Sequence, residues 1–211
     1  MIRLLHKIIL KIYHEKKLGF TFVLLTFLVS MSCKDINRSS VEEGELENGV
    51  YTSTYFKMSL NVPESWNVDT LGKIEKEAAA AEPDKKDTVL VANLLTIYRE
   101  GEKADFKPNL AVIAESCTLY PKLKDESEYL VHVRKQYANL NPITSKIEKP
   151  VLTNNIECYT FDLAMTIQDM TMRQTHFATK RDDYYIDITI TYQSDTQREE
   201  LKAIVNSLTL N

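Results

Sequence analysis

Two histidines and a few aspartates are the side chains best suited to acid–base or metal chemistry beyond the first 33 residues. His132 and His176 are the histidines of this part of the chain, and neither belongs to an H-E-x-x-H or H-x-H pattern. Neither has a carboxylate or cysteine at metal-ligand spacing, so the sequence predicts no metal site. We expect His132 to lie partly exposed on a helix and His176 to be a pleat residue in a strand.

Four aspartates suggest either paired carboxylates or ordinary structural positions. Asp182 and Asp183 are adjacent, as a tight hairpin turn favours, while Asp162 and Asp187 fall on the polar positions of alternating segments. A functional carboxylate pair or a cation site is the alternative. The turn and the polar strand face are the stronger interpretation.

Motifs of nucleophilic and phosphate chemistry are missing from the sequence. There is no G-x-S-x-G, which a Ser-His-Asp hydrolase of that type needs, and the few glycines stand far apart, so no phosphate-binding glycine loop is formed. The sequence therefore predicts that the protein is not an enzyme and holds no cofactor. An enzyme would need a cleft that brings His132 or His176 within hydrogen-bond reach of a carboxylate.

Three cysteines are present, and the first has a distinct setting. Cys117 and Cys158 lie inside predicted strands and are either two buried side chains or one disulfide, the latter only if their strands are neighbours. Cys33 instead follows the uncharged run of residues 18–29 and the small-residue sequence Ser30-Met31-Ser32. A basic start, a 12-residue apolar run and small residues before a cysteine are typical of a lipoprotein signal peptide.

The leader fixes the expected organisation of the chain. We expect residues 1–32 to be a signal peptide, Cys33 to be the lipid-attachment site carrying fatty acids such as palmitate, residues 33–48 to be the anchor and a flexible polar tether, and residues 49–211 to be one domain. Two acyl chains give stable membrane attachment. Cleavage near Ser32 to a soluble periplasmic protein, or an uncleaved amino-terminal anchor, are the alternatives.

The net charge of the chain limits the kinds of partner that it can bind. Once the five basic and one acidic side chains of the leader are set aside, 21 basic and 29 acidic residues remain, a net charge of −8. A negative domain is a poor nucleic-acid binder and is repelled by anionic lipid. A covalent anchor is therefore more useful than electrostatic adsorption.

Periodicity predicts an α+β domain, an antiparallel sheet with helices on its faces. Residues 55–62 alternate apolar and polar, and Leu201, Ile204, Val205 and Leu208 are spaced as one helical face. The predicted strands are residues 55–62, 89–98, 109–118, 143–148, 156–168, 170–180 and 184–192, and the predicted helices are residues 73–81, 126–139 and one that begins at Ser194. Three methionines near a hairpin (Met165, Met170, Met172) form either a contact surface or core, and Trp66 is expected to cover the core.

The order of these elements resembles the PsbP-like superfamily. The resemblance rests on a strand ending in Val62-Pro63-Glu64-Ser65-Trp66, the helix near residues 126–139, the meander that includes Tyr184-Tyr185, and the final Asn206-Ser207-Leu208. It implies an αβα sandwich and a binding or assembly role without catalysis, with no shared functional residues to carry over. The expected function is that of a non-enzymatic module that is anchored in the cell envelope and acts on an envelope protein partner. In a Gram-negative cell we expect the anchor in the outer membrane rather than the inner one. The alternative is a small-ligand carrier with an apolar cavity.

Overall fold

A computed structural model describes residues 44–75, 90–100, 106–149, 156–167 and 170–210, which form an α+β domain of two antiparallel sheets and two helices. The strands are β1 (Glu45–Glu47), β2 (Val50–Ser53), β3 (Met58–Asn61), β4 (Asn67–Glu75), β5 (Val91–Tyr98), β6 (Asn109–Ser116), β7 (Ile143–Thr144), β8 (Tyr159–Ile167), β9 (Met170–Arg181), β10 (Tyr184–Tyr192) and β11 (Thr209–Leu210). The helices are α1 (Glu126–Gln136) and α2 (Asp195–Val205). None of the described helices is both long and apolar enough to cross a membrane.

The larger sheet has seven strands in the order β4-β5-β6-β10-β9-β8-β7, and the smaller has the order β1-β2-β3-β11. Consecutive strands β8, β9 and β10 form the predicted meander, and β10 closes it by pairing with β6. Asp182 lies in the two-residue turn between β9 and β10 with a φ of 51°, a left-handed conformation that aspartate tolerates. The predicted hairpin turn at Asp182-Asp183 is confirmed.

Side-chain alternation along the seven-stranded sheet produces two separate cores. Ile186, Ile188 and Ile190 of β10 belong to a large cluster with Leu201 of α2. Tyr185, between them in sequence, belongs to a smaller cluster under α1. Since neighbouring strand residues point to opposite faces, the two clusters lie on opposite sides of the sheet.

The first predicted strand has the predicted faces but is shorter than expected. Its alternating apolar residues are all buried (Phe56, Met58, Leu60, Val62). Lys57 has a φ of 49°, and its amide donates to the Thr54 carbonyl at 3.2 Å. This turn delays the start of β3 until Met58.

Both predicted helices in the described residues are confirmed, and their first turns show why they begin where they do. Ser194 and Gln197 form a full capping box at the start of α2. At α1, Asp125 accepts from the Glu128 amide at 3.0 Å, whereas the Glu128 carboxylate reaches the Lys124 amide at 2.9 Å, one residue before the cap. Each cap side chain satisfies an amide that a helix leaves unpaired at its start, that of Gln197 in α2 and that of Glu128 in α1.

The sequence predictions need correction at residues 33–48, 73–81 and 143–148, where β7 ends at Thr144, and strands β2, β4 and β11 were not predicted. Strand β1 lies within the segment predicted as a tether, so ordered structure begins before Asn48. The helix predicted for residues 73–81 overlaps the end of β4 over residues 73–75, and its other residues lie outside the described ones. Short β11, which pairs with β3, was not predicted because two residues carry no periodicity.

Candidate functional site

A buried histidine–aspartate pair lies under α1 in the middle of the seven-stranded sheet. His176 of β9 and Asp187 of β10 approach with 3.1 Å between Nδ1 and Oδ2. Their side chains are 2% and 8% exposed. Thr189 Oγ1 lies 3.0 Å from the same ring nitrogen, so Nδ1 is held on one side by polar partners.

Aromatic rings cover the rest of the His176 imidazole. The Phe161 ring stacks on it at 4.8 Å with an interplanar angle of 2°, and Tyr137 meets it edge-on at 5.7 Å. His176 Nε2 is buried and has no hydrogen-bond partner among the described residues. The imidazole is therefore enclosed by strand and helix side chains, with no open side toward solvent.

A second carboxylate, Glu115 of β6, lies on the same face of the sheet. Its Oε2 accepts from Tyr120 Oη at 2.8 Å and from Tyr129 Oη at 3.0 Å. Burial raises the pKa of Glu115 above its ordinary value, and the two tyrosine hydrogen bonds oppose that rise. Burial also raises the pKa of both tyrosines, and the negative carboxylates nearby raise it further.

We call these side chains the sealed polar cluster (Glu115, Tyr120, Tyr129, His176, Asp187); Tyr129, His176 and Asp187 are buried, and Glu115 and Tyr120 are partly exposed at its margin. It meets one half of the condition for an enzyme, because a histidine lies within hydrogen-bond reach of a carboxylate. It fails the other half, since His176 and Asp187 are enclosed rather than lining a cleft. A substrate has no access to the pair in this conformation.

An open polar cleft lies on the opposite face of the sheet, beside α2. It has a volume of about 270 Å³, near the lower limit for a small-ligand site. We call it the α2 cleft. Residues from β8, β9, α2 and the segment before β8 line it (Glu148, Thr160, Asp162, Thr175, Phe177, Arg198, Lys202, Val205, Asn206).

Two basic and two acidic side chains give the α2 cleft a balanced charge. Arg198 Nη2 lies 3.3 Å from Asp162 Oδ2, and Thr175 donates to Asp162 Oδ1 at 2.5 Å. Lys202 has a loose partner in Glu199 at 4.0 Å, on the same helix. The cleft is thus polar, in contrast to the apolar cavity that the carrier alternative requires.

The structure places the other candidate residues in supporting positions. His132 is half-buried on α1, with its ring 4.9 Å from that of Tyr120, as predicted. Trp66 is 8% exposed and covers the larger core, also as predicted. Met165 is buried in the smaller core, which Met172 joins from its edge, so these two methionines fill the core.

No disulfide joins Cys117 and Cys158. Cys117 directly follows β6 and Cys158 directly precedes β8, and two strands, β10 and β9, separate them. Burial raises the pKa of the Cys158 thiol to about 11, so the thiol stays protonated and unreactive at neutral pH. Cys33, the predicted lipid-attachment site, lies outside the described residues.

Metal ligation has no support in the part of the chain that is described, which contains no group of three or more His, Cys, Asp or Glu side chains placed around a common point.

Three residues of the two sites, Glu115, Arg198 and Lys202, were not predicted from the sequence. A signal existed for the two basic residues, because they are spaced i, i+4 on the polar side of the predicted last helix. Glu115 gave no comparable signal, since a single carboxylate in a strand is expected to face solvent.

Comparison with known proteins gives structural matches alone. No protein-family model and no curated protein matches the chain. Cyanobacterial PsbP (CyanoP) from Synechocystis sp. PCC 6803 is 12% identical with a TM-score of 0.51, over 86% of this chain and 98% of that one. LpqN, involved in cell envelope biogenesis of Mycobacterium tuberculosis, is 11% identical over 73% and 83%, with a TM-score of 0.42. A Bacteroides thetaiotaomicron protein is 10% identical over 80% of this chain and 48% of its own, with a TM-score of 0.41.

The chain has a PsbP-like fold. The resemblance drawn from the strand ending at Val62-Pro63, the meander and the last helix is therefore confirmed at the level of the fold. At 12% identity, no residue role is transferred from CyanoP. The function of this PsbP-like domain has to be argued from its own surfaces and clusters.

Proposed function

We propose that this protein is an exported lipoprotein, held at the cell envelope through Cys33, whose PsbP-like αβα sandwich is a non-enzymatic module that binds an envelope protein partner. The observation that carries the non-enzymatic part is the enclosure of the His176–Asp187 pair. Acid–base catalysis needs such a pair within reach of a substrate. Here both side chains are more than nine-tenths buried under α1.

The anchor rests on the sequence. The uncharged run of residues 18–29 is long enough for a signal-peptide core and short for a membrane span. The net charge of −8 beyond it disfavours attachment of the whole domain by electrostatic attraction alone. A diacylated Cys33 provides stable attachment, and the outer membrane is the preferred location in a Gram-negative cell.

The anchor is tested by intact-mass analysis of protein extracted from the membrane fraction. The native chain is expected to begin at Cys33 with added acyl mass, and Cys33→Ala is expected to abolish both. Cys117→Ala is the matched control, because it removes a cysteine that the proposal leaves unmodified. A native chain cleaved near Ser32 without acyl mass contradicts the anchor.

The binding role is tested by cross-linking in intact cells. The anchored protein is expected to give an adduct with a different envelope protein, and the same adduct is expected to decrease when Cys33→Ala changes the location of the domain. His132→Ala, which alters a half-buried side chain outside the sealed polar cluster, is the control. The non-enzymatic role is contradicted if the purified native protein converts a small molecule from an envelope extract and His176→Ala abolishes that conversion.

A small-ligand carrier is the second candidate, and the α2 cleft favours a carrier of polar rather than apolar ligands. Because two acidic residues, Glu148 and Asp162, and two basic residues, Arg198 and Lys202, line the cleft, the suitable ligand is a compact zwitterion rather than a hydrophobic molecule. Calorimetric titration with a dipeptide tests this candidate. Binding that is lost in Lys202→Ala and kept in Lys122→Ala supports it, and no heat of binding at millimolar dipeptide contradicts it.

A further inference from the structure

The segment between α1 and β8 has the most exposed large apolar side chain of the described residues. Ile143 of β7 is 80% exposed, and nearby Leu140 is 38% exposed. β7 is the edge strand of the larger sheet and pairs over two residues with β8. We call residues 134–146 the basic tip, for the charges described next.

The basic tip differs in charge from the rest of the domain. No aspartate or glutamate occurs from Tyr129 to Ile147, whereas Arg134, Lys135 and Lys146 all lie there. The chain beyond the leader has a net charge of −8. A positive segment with exposed aliphatic residues is thus set in an otherwise acidic domain.

Among the described residues, no ion pair joins Arg134, Lys135 or Lys146 to a carboxylate, although Glu148 follows Lys146 by two residues. Arg134 Nη1 lies 3.4 Å from the Ser145 carbonyl, which joins the end of α1 to the segment after β7. The carboxylate on the adjacent part of β8 is that of Asp162, whose amide donates to Ser145 Oγ at 2.9 Å. That carboxylate is itself bonded to Arg198 and Thr175, so its negative charge is already compensated.

We propose that the basic tip docks on the anionic phospholipid headgroups of the membrane that holds the lipid anchor, with Ile143 and Leu140 entering the headgroup region. This inference rests on the anchoring proposed above and adds the orientation of the domain. Each basic side chain near an anionic surface strengthens binding about fivefold. Exposed aliphatic side chains next to basic ones are the combination that amphipathic membrane-surface segments use.

The chain is long enough for this orientation. Strand β1 contacts β4, at the opposite edge of the larger sheet from β7. Six strand spacings separate these edges, which corresponds to about 29 Å. Twelve residues connect Cys33 to Glu45, and a chain of that length spans at most about 40 Å. The anchor and the basic tip can therefore reach one membrane together.

Fluorescence quenching by brominated lipid tests the contact. The acylated full chain carrying Ile143→Trp is reconstituted in vesicles of phosphatidylcholine with or without one third phosphatidylglycerol, all with brominated chains. The native chain gives the background from Trp66. Quenching beyond that background is expected to be severalfold stronger in the anionic vesicles. Val68→Trp is the matched control at the β4 edge, since Val68 is also exposed, and it is expected to be unquenched in both. Equal signals from the two positions overturn the proposal.

Charge reversal provides the second variant. Lys135→Glu with Lys146→Glu is expected to lower the equilibrium constant for docking on the anionic vesicles by at least about twentyfold, and with it the phosphatidylglycerol-dependent quenching at Ile143→Trp. Lys122→Glu with Lys124→Glu, just before α1, is the equal-charge control and is expected to preserve it. Intact mass of the reconstituted chain reports the anchor separately. An unacylated chain defeats the anchoring, whereas an acylated chain whose Ile143→Trp signal ignores phosphatidylglycerol defeats the docking.

Discussion

The sealed polar cluster and the α2 cleft occupy opposite faces of the same strands and differ in their access to water. His176 of β9 points into the cluster, and its neighbour Thr175 points into the cleft. Asp187 in the cluster is 8% exposed, while Asp162 in the cleft is 45% exposed. Strand alternation therefore places two acidic groups in different environments within two adjacent hairpins.

This difference separates structural from ligand-accessible polar groups. A buried charged or polar group without its partner costs several kcal/mol, so the members of the sealed polar cluster depend on each other. An exposed ion pair is screened by water and contributes about 0–1 kcal/mol, so the cleft side chains are free to exchange their partners for a ligand. The His–carboxylate motif alone would have suggested the reverse assignment of roles.

Breaking the buried pair is expected to have the largest effect on stability. Asp187→Ala removes the carboxylate that His176 contacts and is expected to lower the free energy of unfolding by about 3 kcal/mol, measured by urea denaturation. Asp162→Ala is the matched change on the open face and is expected to cost less than about 1 kcal/mol. Equal losses in the two variants would remove the distinction between the regions.

Removing one tyrosine donor is expected to have an intermediate effect. Tyr129→Phe leaves the Glu115 carboxylate with Tyr120 as its remaining hydroxyl donor and is expected to cost about 1.5–2 kcal/mol. Tyr192→Phe removes a neutral contact to Thr175, at 3.2 Å, and is expected to cost about 1 kcal/mol or less. Denaturation curves at pH 7 measure both, and a larger loss for Tyr192→Phe contradicts the ranking.

The pH dependence of stability sharpens the comparison further. Because burial raises the pKa of Glu115, the folded state holds this proton more tightly than the unfolded chain. The stabilisation from the protonated carboxyl is complete below the unfolded pKa of about 4.3 and is lost as pH rises through the raised folded pKa. Glu115→Gln is expected to become more stable relative to the native chain as pH increases above about 4.3. Parallel stability profiles for the two proteins would contradict this.

The exposed ion pair is expected to have the smallest effect. Arg198 and Asp162 are 30% and 45% exposed, so their coupling in a double-mutant cycle of Arg198→Ala and Asp162→Ala is expected to be below about 1 kcal/mol. It is also expected to decrease in 1 M salt. A coupling above 2 kcal/mol that resists salt would place this pair with the buried cluster.

The sequence predicted those parts of the fold whose local pattern agrees with the packing. Phe56 and Met58 alternate along one strand face, and Ser194 has the residues of a helix cap, so both were found. The helix predicted from residues 73–81 failed at its start, because pairing with β5 overrides helix propensity there. The sealed polar cluster was not predictable, since Asp187 and Glu115 occupy polar positions of strands whose outer face is covered by α1.

Native-state hydrogen exchange of α1, which covers His176 and Asp187, tests most directly the claim that the sealed polar cluster is structural and closed to substrates. An isolated helix of 11 residues is marginally stable, so the amides from Leu130 to Arg134 are expected to exchange through global unfolding alone, with an opening free energy equal to that from urea denaturation. Exchange of these amides through a separate low-energy opening, in which α1 leaves the sheet, would contradict the account. It would expose the histidine–carboxylate pair in the native ensemble and restore the enzyme alternative.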